Sequence, residues 1–452
     1  MHQVIASQRK FFNSNATKPI AWRIEQLKKL KQLLLSNDKL LDEAINKDFG
    51  KGRFETILSE LYLVYDDIDA SIRELSAWAA PKSVATNQLN TPATCYIMPE
   101  PLGVSLVIGP WNYPYQLALA PMVAAIAAGC TIILKPSELT EHSSGLLAKL
   151  LNENFDPQYI AVIEGGIQTT TELLENKFDK IFFTGSVPVG KIVYQAAAKH
   201  LTPVTLELGG KSPVIITPGS DLALTVKRIV WAKFLNSGQT CIAPDYVYVH
   251  ESIETEFLDK LKKEIQAKDY SLANSNYVQI VNERNLLRIV GMIDFSKVYT
   301  GGEYDLSSRY LAPTIMSGVL LEDKIMQDEI FGPVLPVLTY TDLDATIAII
   351  KDRPKPLALY LFTADDTIKE KVLSEISFGG GCVNDAVMHI SNSGLPFGGV
   401  GDSGIGNYHG EDGFKAFSHY KSILDKPFTA EPDIKYSPYT AEKIAVLESL
   451  IH

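Results

Sequence analysis

The stretch "GVSLVIGPWNYPYQLALAPMVAAIAAGCTIILKPSE" (residues 103–138) holds two short apolar runs, "GVSLVI" (103–108) and "TIILKP" (131–136), on either side of an Ala- and Leu-rich segment over 116–128. Short runs rich in Val, Ile and Leu and bounded by Gly or Pro read as buried strands, whereas the longer segment between them has the length of a helix. Gly103, Gly109, Pro110, Asn112, Pro114, Pro121 and Gly129 interrupt this most apolar region of the chain, so it does not read as a membrane span. The alternation continues downstream through a helix near 143–151, "IAVIEG" (160–165), a helix near 169–176, "KIFFTG" (180–185), a helix near 189–199 and "VTLELG" (204–209). Repeated strand–helix units predict a parallel sheet covered on both faces, a doubly wound Rossmann-like domain whose ligands sit beyond the carboxyl ends of the strands. "GPWNYP", "KPSE", "EGG", "TGS" and "ELGG" all fall at those ends.

Upstream, "RIEQLKKLKQLLLSNDKLLDEAINKDFG" (23–50) places apolar residues at helical spacing and closes on Gly50, predicting a helical lead-in. Residues 82–101 change to Thr, Pro and short alternation, an extended excursion or hairpin. After Gly210 the pattern restarts with "SPVIIT" (212–217), a helix over 221–235, a cysteine-bearing loop and the strand "YVYVH" (246–250). The expected organisation is α/β throughout: a cofactor domain from 1–81 and 102–208, a second α/β domain over 209–392 carrying the chemistry, and a small β element from 82–101 and 415–452. In that last element a Ser-Ile-Leu strand near 422–424 pairs with the excursion.

The 452 residues carry 42 Lys and Arg against 53 Asp and Glu, a formal charge of −11 without any basic block, which argues against nucleic acid or an anionic membrane as partner. Cys95, Cys130, Cys241 and Cys382 are widely spaced with no C-x-x-C pair, and the eight His show no H-E-x-x-H; neither a disulfide framework nor a metal site is indicated. The start "MHQVIASQRKFF" lacks the design of a signal peptide, and the closing "PYTAEKIAVLESLIH" is charged and too short to span. The expectation is a cytosolic protein with reduced thiols.

Two phosphate-loop lookalikes carry little alone. "GSVPVGKI" (185–192) fits G-x-x-x-x-G-K but puts Ile192 where Mg²⁺ needs Ser or Thr; the backbone N–H groups of a helix start can still face a pyrophosphate. "GVGDSG" (399–404) follows a proline-containing loop rather than a strand and reads as a mobile loop. Cys95, Cys130 and Cys382 read as packed thiols. Cys241 differs, because Asn236, Ser237, Gly238, Gln239 and Thr240 give it polar surroundings and a backbone free to bend; composition leaves nucleophile and buried thiol evenly balanced. Asn112, Glu207 and Glu329 are the candidate partners. Glu207, among Leu residues, is either a base with a raised pKa or one half of a strand-end salt bridge.

Taken in order, "GPWNYP", "KPSE", "FTGS", "LELGGKSP", "NSGQTCIAPDYV", "EIFGPV" and "LPFGGVGDSG" resemble the NAD(P)-dependent aldehyde dehydrogenases, spanning Gly109 to Gly404. "CIAPDYV", "YHG", "FSHY" and "KYSPYT" resemble the class 3 branch, compact homodimers that oxidise medium- to long-chain aliphatic and aromatic aldehydes. The resemblance implies Cys241 as nucleophile, the Asn112 amide and the Cys241 N–H as oxyanion donors, and Glu207 as the base that activates water. Glu329 would hold the nicotinamide ribose and share the base role, with Phe331 beside it. Lys135 and Glu138 would meet the adenosine ribose, and Gly185, Ser186 and Gly190 the pyrophosphate. The cofactor implied is NAD, with NADP as the alternative. Tyr113 and Tyr115 are expected in the substrate pocket wall, and Trp231 either there or in the core. Two rival readings are a CoA-acylating or semialdehyde-specific dehydrogenase and a nucleotide-binding scaffold without chemistry.

Overall fold

The computed structural model describes residues 1–429 and 431–451. The chain forms two compact units, Met1–Trp78 with Pro101–Ser418, and Ala79–Glu100 with the chain from His419 onward.

In the larger unit a six-stranded sheet runs in the order Gly404–Ile405, Val204–Glu207, Lys180–Thr184, Val104–Ile108, Thr131–Lys135, Ile160–Val162. All its pairings are parallel except that of Gly404–Ile405 with Val204–Glu207. Val104–Ile108, Thr131–Lys135 and Lys180–Thr184 are buried at every residue, as parallel strands covered on both faces must be. The helix Gln116–Ala128 is also buried at every position, which accounts for its being apolar all round. From Val104–Ile108 the chain steps outward through two strands and then returns to the other side of Val104–Ile108 with Lys180–Thr184. The order therefore reverses between these two, and the loops leaving their carboxyl ends, after Ile108 and after Thr184, flank the crevice in which such sheets bind ligands.

A seven-stranded sheet follows, ordered Val298–Thr300, Thr314–Met316, Val334–Tyr340, Tyr246–His250, Pro213–Ile216, Ala358–Phe362, Gly380–Val383, antiparallel only at Val298–Thr300. Its core gathers Ile215, Tyr246, Leu286, Ile289, Met316, Val334 and Leu361 among others. The fold class is the one expected, and the helices over Glu141–Asn154, Ile167–Leu174, Val187–Ala198 and Leu222–Phe234 each lie within a turn of their predicted positions. The lead-in resolves into His2–Asn13, Ile20–Ser36 and Asp38–Phe49, then Arg53–Thr56 and a π-helical turn Ile57–Leu61 running into Tyr62–Trp78.

The segment 399–404 is not the free loop expected. Gly404–Ile405 completes the edge of the first sheet against Glu207 and Leu206, and the Leu208 N–H donates to the Ser403 carbonyl at 3.0 Å. An unpaired edge beside Glu207 would leave backbone groups unsatisfied, and this return segment supplies their partners.

The smaller unit has a three-stranded sheet ordered Lys82–Val84, Thr94–Pro101, Ser418–Asp425, the pairing expected of the excursion, and a helix Ala441–Ser449 with no buried residue. Among the described residues no helix is long and apolar enough to cross a membrane. All four cysteines are free. Cys130 is wholly buried, its thiol raised to about 11 by that burial, as befits an inert packed thiol.

Candidate active site

The loop that carries Cys241 is rigid rather than pliant. Asn236 and Ser237 take left-handed backbone angles (φ 53° and 52°), followed by Gly238 at 70°, which reverses the chain directly after the helix Leu222–Phe234. Asn236, Ser237 and Gln239 are fully buried, and their polar side chains bond within the fold except at the Asn236 Oδ1, which has no partner. The Gln239 amide donates to the Asn236 and Gln279 carbonyls at 3.1 Å and accepts from the Val281 N–H at 2.9 Å. Ser237 donates to the Val278 carbonyl at 2.5 Å, and the Thr240 and Tyr113 hydroxyls lie 2.5 Å apart. Polar residues here build the turn from within.

Cys241 stands in the wall shared by two cavities. One, of about 330 Å³, is lined chiefly by apolar side chains, including Leu58, Leu63, Tyr113, Trp231, Ile242 and Met388. The other, of about 270 Å³, is the more polar of the two and brings Asn112, Thr184, Glu207, Arg288, Glu329 and Phe331 to the same sulfur. Asn112 is 3% exposed; its side-chain amide donates to the Gln239 carbonyl at 3.0 Å, leaving its second N–H uncommitted. The Cys241 thiol is pushed well up, first by burial and then by the Glu329 and Glu207 carboxylates, with the N–H groups of Cys241 and Ile242 acting in the opposite sense.

Glu207 ends its strand with a carboxyl that is 2% exposed and has no hydrogen-bond partner on either oxygen. Burial alone holds it well above the ordinary carboxylate range. The salt-bridge alternative for Glu207 is thereby removed. Glu329 is raised to about 8, first by burial and then by Asp245. It lies directly across Gly209, where a Cβ would come within 2.0 Å of Glu329 Oε2, so only glycine leaves the carboxylate its place. The Arg288 guanidinium fixes the backbone on either side of Glu329, donating to the Glu329 and Ile330 carbonyls at 3.2 and 2.7 Å. Asp245 accepts from the Ile330 N–H at 3.0 Å and pairs with Lys211. Phe331 meets Trp111 edge to face at 5.4 Å.

From this polar cavity the space continues into a cleft of about 730 Å³ that shares Ser186, Arg288 and Glu329 with it and adds Lys211, Lys324 and Arg353. Ser186 is the N-cap of Val187–Ala198 but makes no side-chain cap bond, and Pro188 has no N–H, so the Val187 and Val189 N–H groups are left without a capping oxygen at the end of the helix that lines the cleft. Farther along the strand ends, Lys135 and Glu138 pair at 2.8 Å beside a pocket of about 230 Å³ lined by Ser137, Glu138, Glu141 and Glu164. Gly185 lines the polar cavity. Two expected residues lie elsewhere. Gly190 faces inward, where a Cβ would meet Leu208 at 2.5 Å, and lines none of these spaces; close helix–sheet packing is what requires it. Tyr115 is fully buried with its hydroxyl on the Leu41 carbonyl at 2.9 Å, a bond that anchors it in the helical layer and keeps it out of the substrate wall. Trp231, by contrast, does line the apolar cavity.

The aldehyde dehydrogenase family model matches residues 1–423. The chain belongs to the aldehyde dehydrogenase family. It is 45% identical over 445 residues to the mouse (Mus musculus) "Aldehyde dehydrogenase, dimeric NADP-preferring", covering 97% of this chain and 98% of that protein. It is 44% identical over 443 residues to "4,4'-diaponeurosporen-aldehyde dehydrogenase" of Staphylococcus aureus, covering 97% and 96%. Among solved structures, the substrate-bound state of Staphylococcus aureus AldH superposes with a TM-score of 0.97 at 43% identity, covering 100% of this chain and 99% of that one. The activity is NAD(P)-dependent oxidation of an aldehyde to the carboxylic acid.

The aldehyde dehydrogenase's cleft fits its dinucleotide. Lys211, Arg288, Lys324 and Arg353 line it beside Asp328, Glu329 and the uncapped start of Val187–Ala198, basic groups and a helix start of the kind that suit a pyrophosphate, and the Thr184 hydroxyl is buried without a partner in the adjoining cavity. Sequence reasoning missed Arg288, whose signal is only its helical position in "NERNLLRIV", and Trp111, which stood inside a motif already singled out. It also missed a Cys–His contact, Cys382 Sγ to His389 Nδ1 at 3.5 Å. Burial lowers His389 to about 4 and raises the Cys382 thiol, so both are neutral and the pair is not an ion-pair nucleophile.

Proposed function

We propose that Cys241 attacks the carbonyl of an apolar aldehyde that enters through the tunnel lined by Leu58, Leu63, Trp231 and Met388, while the dinucleotide occupies the opposite, polar side. The observation that carries this reading is the position of one sulfur in the wall between an apolar and a polar cavity. The raised thiol must lose its proton to react, and the neighbouring carboxylates are the acceptors at hand. As the C–S bond forms, the carbonyl electrons move onto oxygen, which the second N–H of the Asn112 amide and the Cys241 N–H would receive. NAD(P), when bound, supplies the oxidant, taking the substrate C–H as hydride. The product on Cys241 is a thioester. Once the thiol proton has passed from the carboxylates to solvent, Glu207, pushed well above the ordinary range, takes a proton from water, which attacks the thioester carbon; the C–S bond breaks, the acid leaves, and the thiolate recovers the proton held by Glu207. Glu329 and Phe331 would hold the nicotinamide ribose, with Glu329 as the second candidate base. Lys135 and Glu138 hold the adenosine ribose, and Gly185 and Ser186 face the pyrophosphate.

A carboxylate at Glu138 favours a free 2′-hydroxyl, so NAD is the preferred cofactor; its pairing with Lys135 leaves NADP accepted. The mouse relative's name supports a dimer, and the small three-stranded sheet, with Val84, Leu424 and Phe428 exposed, supports a homodimer assembled through that element. Four unbridged cysteines suit the cytosol. The retained Glu207 argues against a CoA-acylating enzyme, which transfers its thioester without a hydrolytic base. In assays with NAD and hexanal, decanal or benzaldehyde, NADH forms with the wild type and not with Cys241→Ala. NADH formation by Cys241→Ala at the wild-type rate sinks the mechanism, and an acyl-CoA product dependent on added CoA favours the rival.

A further inference from the structure

The segment "DFGKGRFE" (48–55) puts a lysine where lysines rarely sit. The helix Asp38–Phe49 ends on Gly50 at φ +72°, a left-handed turn that sends the next residue inward. The Asn46 amide donates to the Lys51 carbonyl at 3.1 Å, fixing that direction. Lys51 and Glu60 are both 0% exposed and pair at 2.6 Å.

The pair reaches the active-site loop from three sides. The Lys51 ammonium lies 3.4 Å from the Asn112 carbonyl oxygen and 4.4 Å from the centre of the Tyr113 ring. The second Glu60 oxygen accepts the N–H groups of Tyr115 and Gln116 at 3.0 and 2.9 Å, serving the N-terminus of the helix Gln116–Ala128. The Asn112 carbonyl also accepts from the Asn236 amide at 2.9 Å, and the Tyr113 hydroxyl meets Thr240, the residue before the nucleophile. The frame therefore fixes both the residue whose amide faces the developing oxyanion and the turn that presents the thiol. An isolated buried ion pair is weak evidence for stability, because its desolvation offsets most of its attraction. A donor for charge that appears only in the transition state, however, must be held in place beforehand.

We infer that Lys51 and Glu60 are positioning residues for Asn112 in the oxidation of aldehydes, an inference that rests on the reading of Asn112 as oxyanion donor. The test compares Lys51→Met, Glu60→Gln, Lys51→Met/Glu60→Gln, Asn112→Ala and Asn112→Ala/Lys51→Met by kcat, KM for NAD and melting temperature. Lys51→Met is expected to lower kcat at least about tenfold, with KM for NAD changed less than about twofold. The Lys51→Met/Glu60→Gln variant regains part of the melting temperature lost in the single ones, since both members of the pair are removed together while Glu55, the other buried carboxyl facing Lys51, stays, but its kcat stays low. In the Asn112→Ala background Lys51→Met costs less than about twofold more, because residues that act as a unit are not additive. Wild-type kcat in Lys51→Met/Glu60→Gln overturns the inference and leaves Asn112 as donor intact, as does a full multiplicative loss on top of Asn112→Ala. Wild-type kcat in Asn112→Ala overturns both.

Discussion

Replacing Glu207 with Gln separates the two halves of the reaction. The side chain is 2% exposed and makes no hydrogen bond through either oxygen, so an amide of the same shape leaves the cavity wall in place and removes only the base. A positioned base contributes about 10²–10⁴ in rate, or about 2.7–5.4 kcal/mol of barrier at about 1.36 kcal/mol per decade. That loss falls on thioester hydrolysis, not on hydride transfer. Stopped-flow absorbance with excess NAD and hexanal is therefore expected to show about one NADH per active site in a burst, followed by a steady state slower by that factor. Residual turnover then reports the second carboxylate: with Glu329 raised to about 8, it rises with pH through that region as Glu329 ionises. Stability moves in the opposite sense. A carboxyl whose folded pKa lies above its unfolded value near 4.5 binds its proton more tightly in the native state, so Glu207 withdraws stability as pH rises from about 4.5 toward its raised value. Glu207→Gln lacks that decline and should melt higher than the wild type at alkaline pH. A wild-type steady-state rate in Glu207→Gln, or loss of the burst together with the steady state, refutes the assignment of this residue to hydrolysis.

Three further outcomes are expected. Glu138→Gln removes a carboxylate 2.8 Å from Lys135 and frees that ammonium, so the NADP-to-NAD ratio of kcat/KM rises about five- to tenfold, equivalent to about 1–1.4 kcal/mol; an unchanged ratio shows that this pair does not read the ribose. Gly209→Ala places a methyl within 2.0 Å of Glu329 Oε2, and the displaced carboxylate raises KM for NAD by about tenfold; KM at the wild-type value separates Glu329 from the cofactor. Trp231→Ala widens the apolar tunnel and shifts the decanal-to-hexanal ratio of kcat/KM upward by about three- to tenfold, whereas a ratio that does not move places the chain-length determinant elsewhere.

The first sheet was legible because its strands are short, apolar and evenly separated by helices, a pattern fixed by burial on both faces. The segment 399–404 misled because glycine-rich sequence signals backbone freedom, and nothing local shows that the freedom is used to pair with Glu207 at the sheet edge. The run Asn236–Thr240 misled in the same way, since polar residues bonded to the segments around a buried turn have the composition of an exposed loop. Tyr113 and Tyr115 are two residues apart and chemically alike, yet one hydroxyl meets Thr240 and the other Leu41. They flank the start of a helix and leave it on different sides, a distinction that depends on three-dimensional packing.

The titration state of the nucleophile shows why the site had to be read as a whole. Seen alone, a reactive cysteine ought to lie in an electropositive setting that favours thiolate. Cys241 instead faces Glu207 and Glu329, and burial raises all three groups. Carboxyls raised by the same burial are poised to accept a thiol proton that an ordinary carboxylate would leave in place, because matching of donor and acceptor decides where a shared proton rests. On the proposed mechanism, the burial that raises the thiol also raises the proton affinity of Glu207 and Glu329 when they are ionised, and the charge to be met during attack is the oxyanion on the Asn112 side. That reading puts more weight on the amide at Asn112 and the buried frame behind it than on a cation beside the sulfur.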